Sequence, residues 1–217
     1  MTYQILFDLD GTLIDSSRSI LEGFAAALTE HGASARIALD RHLIGPPLPE
    51  ALRLLTGESD PNRLAALAKT FTDYYDNEGF KASDAYAGAG EMLALLKAGG
   101  AVMHIATNKR LRPTERIVQW LGWGAYFDSV YAIDKQPGAR FASKAHMIEQ
   151  LMLAEGVNRA DAVYVGDRDE DRVAATANGL PFVLVTWGYG EYDDLSCYPM
   201  VARDPDQLLI CLSGNAP

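Results

Sequence analysis

The chain has 217 residues, of which 48% are hydrophobic and 22% are charged, and this composition is typical of a globular protein with a substantial core. Its formal net charge of −10 argues against nucleic acid as a partner, because binding to a phosphate backbone needs a basic surface. An acidic protein can still bind a small anion through local positive charge, which a metal ion, a lysine or a helix N-terminus supplies.

The N-terminal segment predicts a cytoplasmic protein. It has no basic stretch followed by an apolar one, so we expect no secretory signal. No apolar run approaches the length that is needed to cross a bilayer, so we expect no membrane as a partner. The cysteines, Cys197 and Cys211, do not form a CxxC pair, which disfavours a zinc site.

The first predicted element is a buried strand, YQILF, at residues 3–7. Two helical patterns follow, SRSILEGFAAALTEHG and PNRLAALAKTFTDYYDNEG, with no convincing strand between them. The segment GPPLPE, at residues 45–50, is rich in turn-forming residues and predicts a turn. The sequence therefore predicts an all-helical insert over residues 16–85.

Strands and helices alternate after this insert. Four further apolar runs predict buried strands, and they are AVMHIA, DSVYAI, AVYVG and FVLVTW. Helical patterns separate most of them: GAGEMLALLKAGG, RPTERIVQWLGW and ASKAHMIEQLMLAEG. This alternation predicts an α/β fold, a three-layer Rossmann-like core with a parallel sheet, formed by residues 1–15 and 86–217.

Polar residues follow three of the predicted strands. Asp8 and Asp10 come after the first strand, Thr107 and Asn108 end the AVMHIA run, and Asp167 follows AVYVG. Each set taken alone is also typical of ordinary turns or of an acidic helix start. Together they would meet at the carboxyl edge of the sheet, where open parallel sheets bind ligands. Clustered carboxylates without histidine or cysteine favour a hard cation such as Mg²⁺.

The motifs DLDGTL with the following IDS, ATNK, a downstream Lys144, and GDRDED resemble the four ordered motifs of the haloacid dehalogenase superfamily. The resemblance covers the whole chain. The helical insert over residues 16–85 resembles the cap domain of the phosphoglycolate phosphatase-like branch. This resemblance implies a Mg²⁺-dependent phosphatase that hydrolyses a small phosphate ester through an aspartyl-phosphate.

The resemblance also implies roles for the aspartates. Asp8 matches the nucleophile that attacks phosphorus. Asp10 matches the general acid/base, which would protonate the leaving alkoxide and later deprotonate water. Asp8, the backbone carbonyl of Asp10, and Asp167 would bind the metal. Asp171 would not bind the metal directly but would hold Lys144 or a metal-bound water.

The remaining matched residues are implied to bind the phosphate. Thr107 matches the phosphate-binding hydroxyl, with the backbone amide of Asn108 beside it. Gly11 is also expected to contact the phosphate. Lys144 matches the lysine that balances charge between nucleophile and phosphoryl group. Lys135, in DKQPG, is the alternative for this role, because Lys144 is followed by alanine where the family often has proline.

Several alternatives stay open at this point. Arg168 stands where a small hydroxyl residue is common, and it either contacts the phosphate or points to solvent as an ion-pair partner. A phosphomutase or a 5′-nucleotidase of the same superfamily is an alternative function, as is a non-catalytic phosphate-binding protein. Asp10 argues against a haloacid dehalogenase, which would not keep the second carboxylate. The chain is expected to be a monomer or a homodimer.

Overall fold

A computed structural model of the chain describes residues 3–44, 47–136 and 139–213. The chain divides into two compact units, one formed by Met1–Asp15 with Ala85–Pro217 and the other by Ser16–Asp84. We call them the core unit and the helical unit. Within the described ranges, every helix is too short or too polar to cross a membrane.

The core unit is built on a six-stranded sheet in the order β5-β4-β1-β6-β7-β8, and every neighbouring pair is parallel. Its strands are β1 (Gln4–Phe7), β4 (Val102–Thr107), β5 (Ser129–Ala132), β6 (Ala162–Gly166), β7 (Phe182–Val185) and β8 (Met200–Ala202). The parallel α/β prediction is therefore confirmed. Strand β8 was not predicted from the sequence, and the predicted strand FVLVTW extends two residues beyond the end of β7, because the apolar run continues past Val185.

The sheet has its switch point at β1. From this central strand the chain places β4 on one side and β6 on the other, so the crevice beyond the carboxyl end of β1 is the expected ligand site. Ile5, Leu6 and Phe7 are fully buried, which explains why β1 is uniformly apolar instead of alternating.

Helices flank the sheet of the core unit, and they are α4 (Ala89–Ala98), α5 (Leu111–Trp120), α6 (Lys144–Glu155), α7 (Asp169–Ala177) and α8 (Pro205–Ser213). The start of α6 matters most for the site. The side chain of Ser143 accepts a hydrogen bond from the His146 amide and caps the helix, which puts Lys144 in its first turn. The helix ends where Gly156 adopts a left-handed conformation with φ of 65°.

The helical unit contains α1 (Ser17–His31), α2 (Leu48–Thr56) and α3 (Pro61–Asn77). Phe24 of α1 packs against Phe71 of α3, with ring centroids 4.8 Å apart. A Cβ at Gly23 would lie 2.8 Å from the Phe71 ring, so the glycine permits this close packing.

Two short strands, β2 (Ile14–Asp15) and β3 (Asp84–Ala85), form a second sheet at the two ends of the helical unit. No strand was predicted between residues 16 and 85, and β3 is too short to give a periodic pattern. The predicted turn over residues 45–50 is wrong for its last three residues, because α2 begins at Leu48 and buries Ala51, Leu52 and Leu55 on one face. Residues 45 and 46 lie outside the described residues.

Candidate active site

Three buried carboxylates meet beyond the carboxyl edge of the sheet. Asp8 follows β1, Asp167 follows β6, and Asp171 lies in the first turns of α7. Each offers one oxygen, and these oxygens all lie within 4.8 Å of one another. Asp8 is 6% exposed, Asp167 0% and Asp171 1%, so the negative charges have little water to screen them.

Lys144 supplies the positive charge for two of these carboxylates. Its Nζ donates a hydrogen bond to Oδ1 of Asp8 at 2.7 Å and another to Oδ1 of Asp171. Burial by itself would lower the pKa of Lys144, but the charges of Asp171 and Asp8 outweigh it, so that pKa lies well above its usual value. The ammonium also lies 5.7 Å from the centroid of the Tyr164 ring, which walls this side of the site.

One ammonium does not neutralise three carboxylates. Burial, with further contributions from Asp171 and Asp167, raises the pKa of Asp8 to about 8 against the opposing charge of Lys144. Burial, followed by the charge of Asp171, raises the pKa of Asp167 to about 6. An all-oxygen cluster with this excess of negative charge fits a hard divalent cation, which would replace the missing positive charge.

Asp167 is held firmly in its place. Its Oδ2 accepts a hydrogen bond from the Tyr189 amide at 2.8 Å, and its backbone carbonyl accepts one from the Tyr192 hydroxyl. The hydroxyl of Thr12 lies 3.4 Å from Oδ1. Gly11 has a φ of 83°, and a Cβ there would overlap the Asp167 carboxylate, so this position needs glycine for both conformation and space.

The loop that follows β7, residues 186–192, forms one wall of the site and was missed by sequence reasoning. Nε1 of Trp187 donates to the Thr12 carbonyl at 3.0 Å, which ties the loop to the first motif. A Cβ at Gly188 would overlap both the Gly11 carbonyl and the Asp167 side chain. The available signal was the pair of glycines in TWGYGEY directly after a strand that ends at the same edge of the sheet.

Asp10 lies apart from the three-carboxylate cluster and pairs with a different lysine. Both of its carboxylate oxygens accept from Nζ of Lys109, at 2.9 and 3.2 Å. Thr107 is buried at the end of β4, and its Oγ1 accepts from the Lys109 amide at 3.2 Å. The Asn108 side chain donates to Oε1 of Glu170 at 2.9 Å, so its amide group faces α7.

The two lysines considered for the third motif lie in different places. Whereas Lys144 contacts Asp8, Nζ of Lys135 lies 3.5 Å from the centroid of the Tyr131 ring and donates to the Val130 carbonyl at 2.7 Å. The guanidinium carbon of Arg168 lies 5.9 Å from the ring centroid of Tyr189, at the rim of the site.

Comparison with known proteins shows the family. The model of haloacid dehalogenase-like hydrolases matches residues 5–185. The chain belongs to this family, as the four motifs predicted.

Three proteins similar to this chain differ in their described activities. The chain is 34% identical over 194 residues to tyrosine-protein kinase PtkA of Mycobacterium tuberculosis, covering 87% of this chain but 64% of that protein. It is 31% identical over 210 residues to phosphoglycolate phosphatase of Xanthomonas campestris pv. campestris, covering 94% of this chain and 93% of the relative. A solved haloacid dehalogenase-like hydrolase, SP0104 of Streptococcus pneumoniae, superimposes with a TM-score of 0.82 at 26% identity, covering 97% of this chain and 98% of that one.

Proposed function

We propose that this protein is a Mg²⁺-dependent phosphatase that hydrolyses a small phosphate ester through an aspartyl-phosphate on Asp8. One observation carries the proposal. At the switch point of the sheet, the Asp8 carboxylate accepts a hydrogen bond from the Lys144 ammonium and lies within 4.8 Å of carboxylate oxygens of Asp167 and Asp171. The similarity to a phosphoglycolate phosphatase along nearly the whole chain supports it.

In this mechanism an oxygen of Asp8 attacks phosphorus, and the bond from phosphorus to the ester oxygen breaks. Water then attacks the aspartyl-phosphate and releases phosphate, which restores Asp8. Lys144 holds the Asp8 carboxylate in place and offsets the charge that the phosphoryl group brings. Asp171 keeps the Lys144 ammonium directed into the site. Thr107 and the backbone amides beside it, together with the turn at Gly11, would bind phosphoryl oxygens.

Asp10 is assigned the proton transfers. It donates a proton to the leaving ester oxygen and later accepts one from the attacking water. The Asp10 side chain is 23% exposed, so its carboxylate can contact both a substrate oxygen and water.

The residues assigned to the cation are Asp8, Asp167 and the backbone carbonyl of Asp10. When bound, Mg²⁺ would neutralise negative charge on the carboxylates and the phosphoryl oxygens. Thr12, Tyr189 and Tyr192 contribute by fixing the orientation of Asp167.

Phosphoglycolate is the substrate that the similarity favours, with nucleoside monophosphates and sugar phosphates as competitors. We assign the helical unit, Ser16–Asp84, to the role of a cap because it is inserted directly after the first motif. Caps of this kind exclude water and select the substrate when they close. A panel of these phosphorylated metabolites, assayed with Mg²⁺ and with excess chelator, tests the substrate class and the metal requirement together. Full turnover in excess chelator would contradict the proposal.

The nucleophile is tested by rapid-quench labelling with a phosphorus-labelled aryl phosphate. Asp8→Asn should form no labelled protein and lose turnover. Asp10→Asn should still form it, and with an alkyl phosphate should lose about 10²–10⁴-fold in rate, the usual contribution of general acid catalysis. Label on the Asp8→Asn protein would show that another residue is the nucleophile.

A second candidate function is phosphoryl transfer to tyrosine, because a tyrosine-protein kinase is among the relatives. The same aspartates could transfer a phosphoryl group to a tyrosine hydroxyl instead of water. Incubation with γ-labelled ATP and a tyrosine-containing polymer discriminates between them. Label in phosphotyrosine favours the kinase, whereas release of free phosphate from metabolites with no label in protein favours the phosphatase.

A further inference from the structure

The ion pair between Lys109 and Asp10 has no role in the mechanism proposed above. Nζ of Lys109 lies 2.9 and 3.2 Å from the two carboxylate oxygens of Asp10. The lysine side chain is only 8% exposed, and that of Asp10 is 23% exposed. A buried ammonium in contact with both carboxylate oxygens restricts rotation of that carboxylate, which a single surface ion pair does much less.

The backbone of Lys109 is fixed on both sides. Its amide donates to Oγ1 of Thr107 at 3.2 Å, and its carbonyl accepts from the Ile133 amide at 3.3 Å. The ammonium therefore extends from an anchored point at the end of β4 to the turn after β1. It joins the two neighbouring strand ends between which the reaction would take place.

We propose that Lys109 is a positioning residue, which holds the Asp10 carboxylate in the orientation that proton transfer to and from the ester oxygen requires. This inference rests on the proposed phosphatase function. A general acid must lie within hydrogen-bond reach of the oxygen that it protonates, and a displacement of about 1 Å can cost on the order of 10²-fold in rate. Direct binding of phosphate by Lys109 is the competing role.

The two roles make different predictions for Lys109→Met. If Lys109 positions Asp10, kcat for an alkyl phosphate should fall by about 10–10²-fold with little change in KM. With an aryl phosphate, whose leaving group needs less help from a proton, the first displacement should be nearly unaffected. Lys109→Arg, which retains the charge and a two-point contact, should recover part of the loss. A rise in KM of similar size for both esters would overturn the inference and assign Lys109 to the phosphate.

A double-mutant cycle makes the test specific. In an Asp10→Asn background, Lys109→Met should change the alkyl phosphate rate by no more than about twofold, because there is no carboxylate left to orient. Losses that multiply in the double variant would contradict the proposal. Lys97→Met is the matched control, since it removes another lysine–aspartate pair of the core unit, to Asp128, at 2.8 Å. It should leave both rates unchanged.

Failure of this inference is separable from failure of the proposed function. Turnover by the unaltered protein reports on the function, whereas the same four-variant cycle in melting temperature needs no substrate. The melting-temperature losses of Lys109→Met and Asp10→Asn should not add, because each variant breaks the same contact. Losses that add would show that Lys109 does not hold Asp10, whether or not the protein proves to be a phosphatase.

Discussion

The excess of carboxylates predicts that a divalent cation and pH will control stability together. The perturbation is Asp167→Asn, which removes one charge from the buried cluster. An asparagine can keep the local contacts, because its oxygen can accept from the Tyr189 amide and its NH₂ can donate to the Thr12 hydroxyl. The variant therefore tests the charge with little change in packing.

The magnitude follows from the pKa of Asp167. Burial raises it from 3.8 to about 6, which corresponds to about 3 kcal/mol at 1.36 kcal/mol per unit. Because the folded-state pKa is raised, this stabilisation is complete below about pH 4 and is lost as the pH rises through 6. In excess chelator at pH 7.5, Asp167→Asn should therefore be the more stable protein by about 6–12 °C, at about 2–4 °C per kcal/mol for a chain of this size.

A bound cation offsets most of this difference. Saturation at about 100 times the dissociation constant stabilises the folded state by about 2.7 kcal/mol, so Mg²⁺ should raise the melting temperature of the unaltered protein at pH 7.5. The gain should be smaller at pH 4.5, where the protonated carboxyl binds cations poorly. Asp167→Asn should gain little at either pH.

The assay is thermal unfolding followed by circular dichroism, in Mg²⁺ or in chelator, at pH 4.5 and pH 7.5. Asp161→Asn is the control, because Asp161 is also buried but accepts its hydrogen bond from Asn158, outside the cluster. Its response to Mg²⁺ should match that of the unaltered protein. The reasoning is refuted if Asp167→Asn is no more stable than the unaltered protein in chelator at pH 7.5, or if it gains as much from Mg²⁺.

Two further variants test neighbouring contacts. Lys144→Met leaves the buried carboxylates of Asp8 and Asp171 without their ammonium partner. It should abolish turnover and destabilise the core unit by about 3–5 kcal/mol in chelator, as measured by urea unfolding. An unchanged urea midpoint would contradict the buried ion pairs. Gly188→Ala adds a Cβ where the Asp167 carboxylate lies, so it should reduce the rise in melting temperature with Mg²⁺. Gly124→Ala, where an added Cβ meets no atom within 4 Å, should keep that rise, and equal behaviour of the two glycine variants would show that the loop does not shape the site.

Much of this architecture was predictable from local patterns. The apolar runs predicted β1, β4, β5 and β6 with good bounds, because strands buried on both faces must be continuously apolar. The same reasoning placed Asp8 and Asp167 at one edge of the sheet, since parallel strands end on the same side. The start of α6 at Lys144 could likewise be read from a serine before an apolar periodic segment.

The tertiary structure decided which charged groups meet. Lys144 and Asp8 are 136 residues apart, and Lys109 and Asp10 are 99 apart, so no local periodicity relates them. Lys135 stayed an alternative because Lys144 is followed by alanine where the family often has proline, and only the tertiary structure shows that Lys144 is the lysine in contact with Asp8. The wall formed by Gly188 and its neighbours could not be predicted for the same reason. The conformation of a loop depends on the distant groups that satisfy its backbone hydrogen bonds, whereas a buried strand is determined by its own side chains.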